Sequence, residues 1–437
     1  MAFAFPQTFL FGTATSATQI EGMTPPSDWL SFSREPGRVA GGDTPERACE
    51  HWERWQEDVR LQKSLKLHAH RLGLEWARIE PVAGHFSHTA LDRYRRELGA
   101  LKDAGISTMV TLHHFTLPAW LAQIGGVCAK RFPTHLARFA THVAEALGDL
   151  VDHWITINEP NALMALGYLF GIWPPGKRGR VDRFLLGQHR LLEAHTRAYR
   201  ALHHCLERRQ KNVSVGLAQH LRALAPARPQ ARGDRLALHL QERFFNEYIL
   251  EALIHGAESS LTHRALSGGT SFHVHEARGC QDFIGINYYS RATTRLGFAN
   301  DTYLKPKQVN PAEVSDLGWE IYPEGLGDML IRWGHEANLP VFVTENGIAD
   351  ATDEKRPQFI VRHLQQVQRA LQAGIDVRGY FHWSLLDNFE WAEGYEARFG
   401  LVEVDYRTQE RRLRNSARLY SEIASSRKLA DDNEPKH

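Results

Sequence analysis

Short apolar runs alternate along the chain with longer stretches in which apolar residues recur every three or four positions. The runs are typical of buried strands, and the three-to-four spacing is typical of helices that bury one face. Strands are predicted at residues 9–14, 68–79, 107–114, 150–157, 213–217, 283–289, 340–344 and 377–384. Each ends in a polar or turn-forming segment, so about eight separate strands are expected.

Helices are predicted between these strands, at residues 49–65, 91–101, 136–147, 191–206, 238–253, 324–335 and 360–371. Gly105 and Gly374 follow two of them and are expected to end them, while Thr134 is the candidate cap of the third. Residues 29–42 are rich in Ser, Pro and Gly and predict a long loop. Strands alternating with helices predict an α/β fold, a single-domain (β/α)₈ TIM barrel over residues 1–437, with a frayed polar tail at about 428–437.

Two glutamates stand where predicted strands end. Glu159 follows the apolar run at residues 150–157 and precedes Pro160, and Glu345 follows the run at residues 340–344 and precedes Asn346. A proline or a turn-forming pair cannot extend a strand, so each carboxylate is placed at the rim of the sheet. Active sites of such barrels are built from the carboxyl ends of the strands, so the two glutamates are expected to meet.

The composition and charge balance of the chain indicate which classes of binding partner to expect. The 437 residues are 43% hydrophobic and 24% charged, which is typical of a globular protein with a large core. The 52 basic residues nearly balance the 51 acidic ones, and no run of five or six like charges occurs. Neither nucleic acid nor an anionic membrane is therefore expected as a partner.

Four widely spaced cysteines predict reduced thiols rather than a zinc site or a disulfide framework. The first residues have no basic flank and no long apolar core, and no later run approaches 18 apolar residues. We therefore expect neither a signal peptide nor a membrane span, and a cytoplasmic location. No cluster of metal-ligating residues stands out, so neither a metal nor another cofactor is expected.

Residues at the predicted strand ends combine carboxylates, neutral hydrogen-bonding groups and indoles. Paired carboxyls suit glycosidic bond cleavage, because one protonates the leaving oxygen while the other attacks or stabilises the sugar carbon. Amides and imidazoles bind hydroxyls, and indole faces cover sugar rings. The candidates are Gln19, Arg71, His114, Asn158, Glu159, Asn287, Tyr289, Glu345, Trp383, Glu390 and Trp391.

The segments ITINEP (residues 155–160) and VTENG (residues 343–347) resemble the two signatures of family 1 of the glycoside hydrolases, the retaining β-glucosidases and their relatives. The resemblance covers nearly the whole chain. Further matching segments lie at residues 9–14, 19–22, 75–79, 111–115 and 383–391. It implies a barrel enzyme that hydrolyses small β-glucosides or oligosaccharides without a cofactor.

The resemblance also implies roles for the carboxyls and their neighbours. Glu159 is similar to the general acid/base and Glu345 to the nucleophile that forms a covalent glycosyl-enzyme. Asn158 resembles the residue that binds the sugar 2-hydroxyl. Arg71 and Tyr289 resemble the pair that holds the nucleophile and keeps it ionised.

Further roles concern the two halves of the substrate, the glycone (the sugar that is released) and the aglycone (the leaving group). Gln19, His114, Glu390 and Trp391 resemble a clamp on the glycone hydroxyls, Trp383 the floor of that subsite and Asn287 a supporting ligand. Trp319 resembles a platform on the aglycone side.

Other conspicuous residues favour structural interpretations. Trp52, Trp55, Trp154 and Trp173 are assigned to packing. Glu21 and Glu75 also lie near strand ends, and structural ion pairing is the safer interpretation for them. His113 is expected to be a packed histidine.

Three positions depart from the family pattern. Thr18 stands where many relatives carry Tyr, Phe115 where many carry Trp, and His382 where Val is common. Phe115 has no indole N–H, which puts in doubt the contact to the sugar 3-hydroxyl that the resemblance would place there. The Glu390 carboxylate would repel a 6-phosphate, so a neutral sugar is favoured.

The sequence thus predicts a retaining β-glycosidase, a β-glucosidase with some β-galactosidase or β-fucosidase activity. Before attack Glu345 should be ionised and Glu159 protonated, with pKa values pushed apart. A transglycosylase with the same residues and a non-catalytic sugar-binding relative remain alternatives. Aglycone preference and oligomeric state depend on loops such as residues 169–183 and 296–309 and are not predicted.

Overall fold

The computed structural model describes residues 4–210, 212–257, 272–296 and 313–429. The polar tail from residue 430 onward and the predicted surface loop from residue 297 to 309 lie outside the described residues. In the described ranges, none of the helices has the length and apolar character needed to cross a bilayer.

Eight parallel strands close into one barrel in chain order. They are β1 (Leu10–Ala14), β2 (Ala69–Gly73), β3 (Ser107–His113), β4 (His153–Asn158), β5 (Val215–Pro226), β6 (Phe283–Thr294), β7 (Val341–Asn346) and β8 (Val377–Trp383). Pairing of β1 with β8, with Leu10 opposite Gly379, closes the ring. The predicted (β/α)₈ barrel is confirmed.

Helices connect successive strands, and a short hairpin follows β8. The helices are α1 (Ala17–Ile20), α2 (Asp28–Ser33), α3 (His51–Ser64), α4 (Trp76–Ile79), α5 (His88–Asp103), α6 (Ala119–Gln123), α7 (Phe132–Leu147), α8 (Pro160–Met164), α9 (Val181–Glu207), α10 (Arg232–Gln241), α11 (Tyr248–His255), α12 (Pro323–Ala337), α13 (Arg356–Gln372) and α14 (Asn415–Ser426). The hairpin pairs β9 (Val402–Asp405) with β10 (Glu410–Leu413), and it was not predicted.

The barrel interior is filled by side chains rather than open. One buried cluster takes at least one residue from each of the eight strands, which is possible only inside the ring. Its strand members are Ala14, Ala69, Met109, Ile155, Ala218, Phe283, Phe342, Phe381 and Trp383. Trp383 is the last residue of β8, so the packed interior extends to the rim where the candidate residues lie.

Glycine ends two helices as expected. Gly105 lies two residues beyond α5 and Gly374 two residues beyond α13, with φ of 76° and 84°. The predicted cap at Thr134 is wrong, because α7 begins at Phe132. Its start is set by Pro133, whose fixed φ suits the first turn of a helix.

Two other predictions fail near the amino-terminal strands. The loop predicted at residues 29–42 contains α2, which begins after Ser27, whose hydroxyl accepts a hydrogen bond from the Leu30 N–H at 3.1 Å. The strand predicted at residues 68–79 ends at Gly73, and Glu75 then caps α4. In the first place a capping hydroxyl starts a helix inside a segment rich in loop-forming residues, and in the second a capping carboxylate starts a helix where an apolar strand was expected to continue.

The region of β5 and β6 departs furthest from the prediction. Both strands run beyond the barrel as a parallel ribbon, with Pro226 still opposite Thr294. The single helix predicted at residues 238–253 is instead α10 and α11, joined by a π-helical segment at Glu242–Glu247. That segment buries Asn246 against β5, where its side chain hydrogen-bonds the backbone N–H and carbonyl of Arg222.

Candidate active site

A cavity of about 510 Å³ opens at the carboxyl ends of the barrel strands. Of the candidate residues, those that line it are His114, Glu159, Tyr289, Trp319, Glu345, Trp383, Glu390 and Trp391. The others, Gln19, Arg71, Asn158 and Asn287, are fully buried and hydrogen-bond residues of this lining or one another. The fold thus brings all the candidate residues together.

Glu345 is held from two sides at the end of β7. Arg71 donates from Nη1 to its Oε1 at 2.6 Å, and the Tyr289 hydroxyl donates to its Oε2 at 2.6 Å. Arg71 lies in the middle of β2, not at a strand end as expected, and reaches the rim through its long side chain. Gly347 lets β8 approach, since a Cβ there would lie 1.7 Å from the Trp383 carbonyl oxygen. These contacts fix both carboxylate oxygens of Glu345.

Glu159 follows β4 in the left-handed region, with φ of 42°. Such a conformation is uncommon outside glycine and is found where the surrounding structure holds a functional side chain in place. The Asn287 amide donates to its Oε1 at 2.8 Å, and Nδ1 of His220 lies 3.1 Å from its Oε2. The ring N–H of His220 is not aligned for a hydrogen bond. Glu159 therefore has one firm donor and one close imidazole.

A hydrogen-bonded bridge connects the surroundings of the two carboxyls. Oδ1 of Asn158 accepts from Nη2 of Arg71 at 2.6 Å and from the Asn287 amide at 3.0 Å. Arg71 also contacts Glu345, and Asn287 also contacts Glu159. Fully buried donors and acceptors with satisfied partners are rigid, so the two carboxyls keep a fixed relation.

Burial and charge separate the pKa values of the two carboxyls. Burial, helped by the Glu159 charge and opposed by Arg71, raises the pKa of Glu345 to about 7. Burial also acts to raise the pKa of Glu159, but His220, Asn287 and Arg71 together lower it below the usual value. Separate pKa values were expected, with the lower pKa on Glu345. In the empty site the order is the reverse, with the lower pKa on Glu159. Because the two groups interact, the pair titrates as a unit and keeps one proton up to about pH 7.

Glu390, which is predicted to contact the glycone, lines the cavity. Burial and the charges of Glu345 and Glu393 raise its pKa to about 8. Gln19 donates to Glu390 at 3.2 Å and also to Asn388 at 2.9 Å. At neutral pH Glu390 is therefore a neutral carboxyl that can donate to a sugar hydroxyl, and its repulsion of a phosphate group develops only above about pH 8.

His114 lies between two indoles. Its ring is nearly parallel to Trp383 at a centroid distance of 5.8 Å and to Trp391 at 6.0 Å. Burial, with the charge of Arg71, holds the pKa of His114 well below its usual value. Its Nδ1 has no hydrogen-bond partner among the described residues. A neutral imidazole and two ring faces are thus available to a sugar.

The three departures from the family pattern have different surroundings. Thr18 donates to Glu75 at 2.5 Å, behind the rim. Phe115 forms an apolar wall, with ring centroids 4.7 Å from Trp173 and 5.2 Å from Trp391. His382 is fully buried in β8. Only Phe115 of the three lines the cavity.

Two structural interpretations are tested by these contacts. Glu21 forms the expected ion pair, with Arg78 at 2.9 Å. Trp173 packs in the core as expected, against Trp29 and Phe115, and it also lines the cavity. Its position follows from the turn at Gly171, where the chain leaves the segment after α8 with φ of 69°.

The chain as a whole has counterparts among known proteins. Residues 1–429 match the family described as Glycosyl hydrolase family 1. The chain belongs to this family. It is therefore a glycoside hydrolase, as the two signatures indicated.

Relatives of this hydrolase match it along its whole length. It is 35% identical over 451 residues to Beta-glucosidase A of Thermotoga maritima, covering 98% of this chain and 99% of the relative. It is 31% identical over 492 residues to a Beta-galactosidase of Sulfolobus acidocaldarius, covering 98% and 96%. The Thermotoga maritima β-glucosidase in complex with glucoimidazole superimposes with a TM-score of 0.90 at 33% identity, covering 98% of this chain and 100% of that one.

The hydrolase also has cavity residues that the sequence did not point to. They are Ala162, Leu166, Ile172, His220, Arg222, Asp316, Leu317, Ala392, Glu393, Glu396 and Phe399. Most belong to segments with no recognisable motif. His220 and Arg222 carried one available signal, since they alternate with apolar residues in a run that continues the fifth predicted strand.

Proposed function

We propose that this glycoside hydrolase is a retaining β-glycosidase that removes terminal, non-reducing β-D-glucosyl residues, with β-galactosides and β-fucosides as further substrates. The observation that carries the proposal is the pair of buried carboxyls, Glu159 and Glu345, facing one cavity with different hydrogen-bond donors on each. The names of the relatives, β-glucosidase and β-galactosidase, support the substrate class.

In the first step the Glu345 carboxylate attacks the anomeric carbon. The bond from that carbon to the glycosidic oxygen breaks, its electron pair goes to the oxygen, and Glu159 gives the oxygen its proton. Arg71 and Tyr289 orient the attacking carboxylate. The aglycone leaves as an alcohol, and the sugar stays on Glu345 as an ester.

In the second step water attacks the same carbon from the side that the aglycone left. Glu159, now ionised, accepts a proton from the water as the bond to Glu345 breaks. Two inversions leave the β configuration unchanged, and both carboxyls return to their starting states. An alcohol that takes the place of water gives a transglycosylation product, so product analysis with added acceptor measures the balance between the two outcomes.

Reaction requires the single proton of the pair to be on Glu159. The pKa order of the empty site places that proton mainly on Glu345. The singly protonated pair is nevertheless the species from which reaction starts, since the proton redistributes within it. Activity should therefore follow a bell-shaped pH profile, falling at high pH when the pair loses its one proton.

The remaining cavity residues fit a neutral sugar. Glu390, Gln19 and His114 offer donors and acceptors for glycone hydroxyls, with Trp383 beneath them. Trp319 lies at the other side against Tyr289, with ring centroids 5.8 Å apart, and suits an aglycone ring.

The test is hydrolysis of p-nitrophenyl β-glucoside by the wild type and by Glu345→Gly, with azide as a rescue nucleophile. We expect the variant to be inactive alone and to form the α-glucosyl azide when azide is added. Rescue that gives the β-azide would contradict the assignment of Glu345. An inactive wild type would direct the test to β-galactoside, β-fucoside and 6-phospho-glucoside, and inactivity on all of them would favour a sugar-binding role.

A further inference from the structure

Two polar residues of β5 extend the site beyond the family signatures. His220 and Arg222 are separated by one residue, so both side chains lie on the same side of the strand. Both are more than nine-tenths buried, and both line the cavity. His220 is opposite Asn287 in the β5–β6 register. The strand pairing thus places Asn287 and His220 side by side, one at each oxygen of Glu159.

Arg222 fixes the proton position on the His220 ring. Its Nε lies 3.2 Å from Nε2 of His220, and a guanidinium can only donate. Nε2 must therefore present its lone pair, so the proton of a neutral ring is on Nδ1. Nδ1 is the atom 3.1 Å from Oε2 of Glu159. It has no aligned hydrogen-bond partner in the described part of the chain.

The backbone beneath this pair is held firmly. Asn246 bonds both backbone groups of Arg222, and the Asn161 amide donates to the His220 carbonyl at 2.7 Å. Phe245 lies against the imidazole at a centroid distance of 5.6 Å. The π-helical segment that carries Asn246 and Phe245 therefore serves to place His220 and Arg222.

Other charged or titratable groups also surround Glu159. They come from β2, β5, β6, β7 and the segments after β3 and β8, and are Arg71, His114, Arg222, Tyr289, Glu345 and Glu390. Arg71 acts on both carboxyls, and Tyr289 contacts Glu345. Among the described residues only His220 and Asn287 bring a donor atom to the Glu159 carboxyl.

We propose that His220 is a positioning residue for this carboxyl: its ring, fixed in one tautomer by Arg222, presents the Nδ1–H to Oε2 of Glu159, restrains the carboxyl and sets how readily it releases its proton. The inference rests on the proposed function, in which Glu159 is the acid/base. The Nδ1–H faces the carboxylate at 3.1 Å without full hydrogen-bond alignment, so its effect on Glu159 is electrostatic and is lost when the N–H is removed.

The experiment compares His220→Phe with His220→Asn in the full-length enzyme. Phe keeps a planar ring but has no N–H, whereas Asn supplies a donor at nearly the position of Nδ1. We expect the high-pH limb of kcat/KM to move upward by about one pH unit in His220→Phe and to return to the wild-type position in His220→Asn. The effect should be seen with methyl β-glucoside, whose leaving group needs an acid, and not with 2,4-dinitrophenyl β-glucoside.

His153→Phe is the matched control. His153 begins β4 at the opposite end of the barrel, contacts Ser214 at 2.9 Å and packs against Phe283 and Phe342. His153→Phe makes the same exchange of an imidazole for a phenyl ring. Because this exchange takes place at the opposite end of the barrel from Glu159, we expect no movement of the high-pH limb. Equal loss on both substrates with an unmoved limb in His220→Phe would show a purely structural role and overturn the inference, as would a downward movement.

Two further measurements separate the possible failures. Glu159→Gln should lose the high-pH limb, and if it keeps the limb the proposed function fails. If Glu159→Gln loses the limb while the limb of His220→Phe stays at the wild-type pH, the present inference alone fails. If His220→Phe does not fold, ¹⁵N spectra of the labelled wild-type enzyme, assigned by difference from His220→Asn, test the tautomer directly. Protonated Nδ1 with unprotonated Nε2 supports the inference, and the opposite tautomer or an imidazolium at pH 7 overturns it.

Discussion

The two sides of the cavity hold their polar groups differently. On the side that is predicted to hold the glycone, defined by Gln19, Arg71, Glu345 and Glu390, every group has firm partners, such as the 2.6 Å contact between Arg71 and Glu345. On the β5 side, defined by His220 and Arg222, one ring nitrogen is fixed and the other faces Glu159 without alignment. The contrast teaches that one side is a rigid frame for the sugar, while the other can respond to what enters.

The largest effect should come from the group between the two sides. Replacing Glu159 by Ala removes the proton donor, so kcat/KM for methyl β-glucoside should fall by about 10³-fold. The fall for 2,4-dinitrophenyl β-glucoside in the first step should be small, because that leaving group needs no proton. Steady-state and burst kinetics with both substrates measure the two losses. An equal loss on both substrates would contradict the role of Glu159 as the proton donor.

The two buried arginines test the comparison directly. Arg71→Met leaves Glu345 as an uncompensated buried charge, so we expect about a 10²-fold loss in kcat/KM and a free energy of unfolding lower by about 3–5 kcal/mol. Arg222→Met removes one contact of an adjustable ring and should lower kcat/KM by less than about tenfold. Kinetics and urea unfolding measure the losses in both variants. Similar losses in the two variants would contradict the difference in rigidity between the two sides of the cavity.

The pH profile of kcat/KM should report the hydrogen bonds that surround the two carboxyls. Wild-type kcat/KM should fall above about pH 7, where the pair loses its last proton, because the raised pKa of Glu345 keeps that proton bound below this pH. Tyr289 donates to the ionised form of Glu345 and so lowers its pKa. Tyr289→Phe should therefore move the limb upward by about one pH unit. A downward movement would contradict the assigned hydrogen bond.

The smallest effect concerns Glu390. Its raised pKa keeps it neutral below about pH 8, and at higher pH it becomes a carboxylate that can no longer donate. KM of the wild type should increase above pH 8, whereas Glu390→Gln should show no such increase and should differ from the wild type by about threefold or less at pH 6. Measured KM from pH 6 to 9 tests this, and a large loss in the variant at pH 6 would mean that an ionised carboxylate binds the sugar.

The same contrast explains what the sequence could predict. Glu159 and Glu345 each close an apolar run, and a strand that ends in a carboxylate and a breaker is visible in one dimension. The barrel followed from the alternation, but Thr134 failed as a cap because Pro133 sets the start of α7. Local propensity and turn chemistry reach this far.

The β5 side could not be predicted in the same way. The proposed role of His220 depends on its lying opposite Asn287, a residue far along the chain on the neighbouring strand. The extension of β5 and β6 depends on that pairing, and the π-helical segment that anchors Arg222 interrupts a run that looks like one helix. Contacts of this kind depend on register, which a single sequence does not specify.

The central claim is tested most directly by trapping the glycosyl-enzyme. A 2-deoxy-2-fluoro-β-glucosyl fluoride slows both steps but has a leaving group good enough for the first, so the intermediate should accumulate. Peptide mass spectrometry of the inactivated enzyme is expected to find one fluoroglucosyl group, bound to Glu345. A label on Glu159 or Glu390, or an unlabelled enzyme that still turns over p-nitrophenyl β-glucoside, would contradict the account.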